Sequence, residues 1–491
     1  MRTLLLAVGA FVLSACPSGP SGTGTGGGTA VVGGGFSGTG GGFSGTGGGS
    51  STTGGGNATG GGLATGGGST MGGGVASAGG SSGPMAGSLT VPATVLNPKV
   101  VATADGVFHV AHRTQTPSSI VYGRCSSNCG IAQQWSFVTV EPTATFIVSP
   151  RLAVGADGRV HLVYTRTNSP AKNVYATCAA NCTVAGNWTK TEFDAPTNCD
   201  WEDQGSALVL DTQGRLSFLT TDFNSRVVCL NTCGASCGTA GNWQTAEIID
   251  LRPSSRNSTL GFAGNGTTLH LVYDDLTAGL RYQRCTGNCT MPASWQRSPP
   301  LFFHGDAPVA LSASPQGRLA LAYNQGTTDP GAPVDVKAFD GRLAIWECTT
   351  GCDMRSGWAG VIAGAVDDGK NGLATASIAG GVVAIATQSN GTSAHLCETN
   401  CGMPASWTSA DLETTATLTA ALPDAYTLPG CEQNGQPVRP QLATWAPEFP
   451  AVAVSDFGLV VHTGTRGLRT CPGVSSPTIF PGYGRLLYAP P

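Results

Sequence analysis

Residues 151–188 read RLAVGADGRVHLVYTRTNSPAKNVYATCAANCTVAGNW, and the reading of this stretch decides the fold. Two runs of alternating β-branched and aromatic residues flank Asp157-Gly158, which is hairpin chemistry, because glycine supplies the positive φ that such a turn demands. A third run, from Asn173, leads into a Cys-x3-Cys turn, and a fourth opens at Trp188. The string Cys-x3-Cys-x5-Trp occurs six times, at Cys125/Cys129/Trp135, Cys178/Cys182/Trp188, Cys233/Cys237/Trp243, Cys285/Cys289/Trp295, Cys348/Cys352/Trp358 and Cys397/Cys401/Trp407. The first cysteines stand 53, 55, 52, 63 and 49 residues apart, a period near 50. Turns at Asp105-Gly106, Gln213-Gly214, Asn265-Gly266 and Gln316-Gly317 hold the same place in their units.

Four short antiparallel strands per unit make a propeller blade. With the insertions near 327–339 and 414–447 set aside, residues 88–491 divide by the period into seven units. The expectation is an all-β chain with a seven-bladed β-propeller at 88–491, six or eight blades being the alternatives. The seventh unit, 450–491, keeps a hairpin and Cys471 but lacks the cysteine pair and the tryptophan. Residues 89–96 (LTVPATVL) have no hairpin of their own, so they are expected to supply the outer strand of the last blade and leave no sheet edge free.

Thiolates at short spacing invite a zinc reading. Each pair, however, sits at the rim of a different blade, so two pairs cannot share one tetrahedral ion, and no histidine follows at ligand spacing. Six local disulfides are therefore expected within the repeat, with no metal and no cofactor. Outside the repeat, locality suggests Cys199 with Cys229 and Cys431 with Cys471, although four cysteines allow three connectivities. The fixed offset of the six tryptophans from a structural turn marks them as blade-to-blade core.

The first 97 residues differ in kind. No charged side chain lies between Arg2 and Lys99, and 34 of the 73 glycines fall within the first 90 residues. Residues 1–15 read as a secretory signal, with Arg2 before an apolar run at 4–13 that is too short to span a bilayer. The run ends in Leu13-Ser14-Ala15-Cys16, which resembles the lipobox of bacterial lipoproteins. That resemblance implies cleavage before Cys16 and acylation of Cys16, with Pro17 compatible with export to the outer membrane or cell surface. Residues 16–87, with GGFSGT repeated at Gly34 and Gly41, carry too little side chain to bury and are expected to form a flexible linker about 45 Å end to end. A net charge of -4 and pI near 6 provide no basic footprint, which excludes nucleic acid as a partner.

In a four-stranded meander the Asp-Gly and disulfide turns share one face, so the interblade loops share the other, and loops on a rigid scaffold commonly bind. The candidates there are Asp200, Trp201, Glu202 and Asp203, an aromatic face among carboxylates suited to sugar hydroxyls, and Asp274 with Asp275. Arg151 and Arg256 open first strands and are expected to point into the central channel. His109, His161 and His270 recur at one place in the second strand, so they are read as packing residues and not as catalysts.

The hairpins resemble those of sialidase-like, BNR-type propellers, and the whole chain resembles myxobacterial-type surface lipoproteins that join a Gly-rich linker to such a head. The resemblance covers residues 88–491, about 80% of the chain. The sialidase Asp-box, Ser/Thr-x-Asp-x-Gly-x-x-Trp, is matched at 153–162 (AVGADGRVHL) only in its Asp-Gly turn. Sialidase chemistry would need three converging arginines, a Tyr activated by a Glu and an acid Asp, and no third arginine position is evident. The expected function is a monomeric, membrane-anchored, non-catalytic binding or scaffold module for a glycan or an envelope protein. A sialidase-like glycoside hydrolase or lyase is the first alternative, and a structural cell-surface protein the second.

Overall fold

A computed structural model describes the chain from Gly87 to Ala489, apart from loop segments that include 143–149, 200–206, 251–259, 327–338, 367–371, 423–430 and 472–477. The described residues form a seven-bladed β-propeller. Blade one runs Leu96–Ala102, Phe108–Gln115, Ser118–Cys125 and Ser136–Pro142, and blade two runs Arg151–Val154, Val160–Arg166, Lys172–Cys178 and Thr189–Asp194. Blades three to six begin at Val209, Leu260, Gly305 and Gly372 and repeat the same antiparallel order. Blade seven joins Leu442–Ser455, Gly458–Thr470 and Tyr483–Ala489 to Gly87–Thr94, so the expected closing strand is the outer strand of the last blade. Gly87 pairs with Tyr488 and Leu89 with Leu486.

The seventh blade starts earlier than the repeat suggests, at Leu442, because its first two strands extend past the body of the sheet and pair from Leu442↔Thr470 onward. The insertion before it holds the helix Thr415–Ala421, which an all-β reading missed. Thr414 and Thr417 cap that helix reciprocally, and Leu418 packs with Trp445.

Seven apolar clusters fill the seven junctions between neighbouring blades. In six of them the tryptophan of one blade faces the blade before it; Trp188, for example, meets Tyr122 edge-on at 5.2 Å. The spacing to the cysteines has a second cause. Each of these indoles donates from Nε1 to the backbone carbonyl of the second cysteine of its own pair, at 2.8–2.9 Å. The acceptors are Cys129, Cys182, Cys237, Cys289, Cys352 and Cys401. The tryptophan thus closes the turn and fills the junction at once. Trp188→Phe should therefore leave the Cys182 carbonyl unsatisfied and lower unfolding free energy by about 1–3 kcal/mol, measurable by urea denaturation.

The six repeat pairs are bonded as expected, Cys125–Cys129, Cys178–Cys182, Cys233–Cys237, Cys285–Cys289, Cys348–Cys352 and Cys397–Cys401, with Cα–Cα distances of 5.6–5.8 Å. The pairs lie in the turns between third and fourth strands, as expected, and the structure adds that their side chains are covered. All twelve cysteines are buried, and Cys129, Cys237 and Cys352 belong with their tryptophans to the apolar junction clusters. Cys401 is buried outside such a cluster, and Trp407 at its junction is only partly covered. The cause is the indole hydrogen bond, which draws the second half of each turn inward over the neighbouring blade. Cys199–Cys229 is bonded as well. Cys471 is disulfide-bonded, while the side chain of Cys431, its expected partner, lies outside the described residues. In the chain-entropy picture, a loop as short as the repeat turns contributes about 2 kcal/mol and the longer Cys199–Cys229 loop about 3.7 kcal/mol.

Candidate functional site

The second and third strands set the electrostatics of each blade. His109, His161 and His270 each hydrogen-bond a tyrosine of the third strand, Tyr122, Tyr175 and Tyr282, at 2.6–2.7 Å. His270 also donates from Nε2 to Asn265 Oδ1 (2.8 Å), which leaves Nδ1 to accept from Tyr282. Burial, helped by nearby arginines, pushes all three imidazoles down to about 4, so they are neutral at physiological pH. These histidines are packing residues, as their recurrence in the sequence implies.

Blade junctions also hold ion pairs. Glu141 of blade one accepts from Tyr164 Oη (2.7 Å) and Lys190 Nζ (3.0 Å) and pairs with Arg166 (2.9 Å), all of blade two. Burial pushes its carboxyl up, but these three donors outweigh that and hold it below the ordinary range. Phe193, Ile249 and Phe302 occupy the corresponding place in blades two, three and four, opposite the residue five before the first cysteine. Charge at this place therefore substitutes for apolar packing.

The residues singled out from sequence fare unevenly. Asp200, Trp201, Glu202, Asp203 and Arg256 lie outside the described residues. Asp274 is buried in the second strand of blade four, and Asp275 is ion-paired with Arg281. Arg151 corrects an expectation: its side chain is 1% exposed and lies over the Phe218 ring at 5.1 Å, wedged between blades two and three instead of lining the channel. Residues 151 and 153 point the same way from the strand, and Ala153 packs toward blade three, which explains the direction. The disulfide cysteines are structural: Cys129, Cys237, Cys352 and Cys401 are bonded and buried, so they offer no thiolate to a ligand, and Cys289 enters the site below only as part of its wall.

A cleft of about 370 Å³ opens between blades three and four, on the face of the disulfide turns. Gln213, Arg215, Ser217, Thr232 and Gln244 line one wall, and Asn288, Cys289 and Thr290 belong to the other. Its origin is a break in the repeat. Ser217 stands where blades one, two and four carry His, and Leu230 stands where they carry Tyr, three residues before the first cysteine. The His–Tyr pair that faces the next blade elsewhere is replaced by Ser217 bonded to Thr232 (3.2 Å), and the space stays open. Arg215 reaches Asp211 at 3.3 Å and Gln213 Oε1 at 3.1 Å, so its charge is balanced locally. The lining is mainly amides and hydroxyls around one guanidinium, with Leu269 and the bonded Cys289 as its apolar part. Sequence reasoning placed function on the opposite face and missed this cleft, although the missing histidine in blade three signalled it.

Among the described residues, no group of three or more His, Cys, Asp or Glu is placed to hold a metal ion, and no helix is long and apolar enough to cross a membrane. No protein-family model and no curated protein matches the chain. Among solved structures it is similar to a prolyl endopeptidase (9% identity, TM-score 0.40, 80% of this chain), of which it spans half the length (50%). It is also similar to the polysaccharide lyase Uly1 (11% identity, TM-score 0.40, 79% of this chain and 89% of that one). A mutant Aleuria aurantia lectin in complex with Fucα1-6GlcNAc shares 10% identity at a TM-score of 0.36, over 81% of this chain and 98% of the lectin. The Hadza microbial sialidase Hz136 shares 13% identity at 0.39, over 60% and 63% of the two chains. At these identities the likeness extends to the fold alone.

Proposed function

We propose that the propeller is a non-catalytic glycan-binding module, tethered to the outer membrane or cell surface through an acylated Cys16. The cleft between blades three and four carries this reading. Its size suits a mono- or disaccharide, and sugar hydroxyls, each both donor and acceptor, match a wall of amides, hydroxyls and one guanidinium. Glycoside hydrolysis needs two carboxylates flanking the bond, whereas the carboxylate beside this cleft, Asp211, is paired with Arg215. A glycan array probed with the unlipidated chain (Cys16→Ser) tests the reading, and a uniformly blank array contradicts it. On any glycan that binds, Arg215→Ala should weaken affinity by roughly tenfold, since a hydrogen bond to a charged donor contributes about 1.5–3 kcal/mol. Calorimetric titration measures that difference, and an unchanged affinity moves the site elsewhere. Mass spectrometry of the membrane-extracted protein tests the anchor separately, because acylation adds a defined mass at Cys16.

A further inference from the structure

We infer that the disulfide face docks on a lipid surface. The residue two places after the second cysteine is Ile131, Val184, Thr239, Met291, Met354 and Met403 in blades one to six. Each has extended backbone at the entrance to a 3-10 turn. Each backbone N–H is tied to the carbonyl three residues back, at 2.9–3.2 Å. The disulfide loop therefore fixes this side chain in the same outward pose six times. The five apolar ones are 49–56% exposed, and with Ile362 they make up the large apolar side chains that stand exposed among the described residues. A repeat that buries its tryptophan yet holds an Ile, Val or Met out in water at the same turn makes a ring of apolar studs on one face.

Two observations name a lipid surface as the occupant. First, the preceding chain enters the ring at this face. Gly87 pairs with Tyr488, beside Leu459↔Ala489 and the Ser455/Gly458 turn, which is blade seven's counterpart of the Asp-Gly turns. Blade seven has no disulfide turn because the start of its fourth strand and the end of its third occupy that place. A chain tethered ahead of Gly87 can lay this face on the surface that holds it without passing around the ring. Second, the six turns from first cysteine to tryptophan hold only Asp353, Arg355 and Glu398 as charged residues, and Arg355 is folded back over Trp346 at 3.9 Å. The disulfide turns thus offer apolar side chains on nearly uncharged backbone, while the Asp-Gly turns of the same face add charges of both signs, Asp105, Asp157 and Arg159 among them; that mixture suits shallow insertion at a headgroup boundary and not attraction to anionic lipid. The exception in the ring is Thr239 of blade three, beside the polar cleft, which then opens toward the headgroups. The inference rests on the tethering in the reading above only for how the surface is reached.

The test uses the unlipidated full chain (Cys16→Ser) and phosphatidylcholine vesicles, which carry no glycan, so failure of the cleft reading leaves it untouched. Flotation should show binding that changes less than about twofold between 0.15 and 0.5 M salt, since no charge attraction is being screened. Replacing Ile131, Val184, Met291, Met354 and Met403 together by serine should lower binding by roughly tenfold or more, with the melting temperature held, because these side chains are already half in water. Peroxide oxidation of Met291, Met354 and Met403 should slow when vesicles are added, while Met71, sixteen residues ahead of Gly87, serves as the control. Vesicles that slow oxidation of Met291, Met354 and Met403 no more than that of Met71, binding abolished by salt, or a face-to-face dimer that the serine variant dissolves would each overturn the inference.

Discussion

Acidification from pH 7 toward 4.5 should destabilise the ring steeply, well before the ordinary carboxylates titrate. Burial pushes His109, His161, His270 and His462 down to about 4, and His112 falls well below its usual value through burial and the neighbouring His462. The unfolded chain takes up protons on these residues near pH 6.5, while the folded ring does not until about 4. Below 6.5 the unfolded state therefore binds more protons, and stability falls with pH until the folded pKa values are reached. Each histidine contributes a loss of about 1.4 kcal/mol per pH unit across that window, so together they remove several kcal/mol by pH 5. Two carboxyls act the other way: burial raises Glu413 and Glu448 despite the arginine beside each, and these two gain as the pH falls. Five histidines outweigh them. Failure should begin at the closure, where His462 donates from Nδ1 to the Arg485 carbonyl (2.9 Å) and accepts at Nε2 from His112 (3.2 Å), across the junction of blades seven and one. Urea titrations at half-unit pH intervals measure the slope. A flat stability between pH 7 and 5 would contradict the assignment of neutral, buried imidazoles.

Arg485→Met should be the most damaging single substitution. The junction of blades six and seven has neither a repeat tryptophan nor a disulfide in its core. In their place, Arg485 of blade seven donates from Nε and Nη2 to Glu413 Oε1 of blade six, at 2.9 and 2.6 Å. Its Nη1 also donates to Thr90 Oγ1 of the closing strand at 2.6 Å. Both charged side chains are nearly fully buried, 2% and 3% exposed. Removing one partner of such a pair leaves the other charge uncompensated and costs about 3–5 kcal/mol. Glu413→Leu with Arg485→Met should restore most of the loss, because blades two, three and four fill this place with the apolar Phe193, Ile249 and Phe302. A single-variant loss below about 1 kcal/mol would show that the pair is not what holds this junction.

The fold was legible because six identical strings at a steady period admit few architectures, and five of the six units carry a recognisable hairpin turn. What escaped was whatever depends on two blades meeting. The purpose of the x5 spacing, an indole reaching the cysteine carbonyl, needs the geometry of the 3-10 turn, and so does the burial of Cys129, Cys237, Cys352 and Cys401 within turns that spacing placed correctly. The side chain of Arg151 was placed in the channel because strand position alone does not say which blade a residue faces. The start of blade seven was set late because its first strand begins inside an insertion with no repeat signal. The cleft escaped for a related reason: Ser217 and Leu230 are ordinary strand residues, and only beside the His–Tyr pairs of three other blades do they read as a vacated space. The exposed studs were visible at a fixed offset, but exposure is not readable from an Ile or a Met.

That vacated space also provides the most direct test of the glycan reading. Ser217→His with Leu230→Tyr installs in blade three the pair that blades one, two and four already carry, filling the cleft with side chains the scaffold accommodates. Arrayed against the same glycans as the parent chain, the double variant should lose binding entirely while melting at or above the parent temperature. Binding that survives with the cleft filled would contradict the assignment of the site between blades three and four.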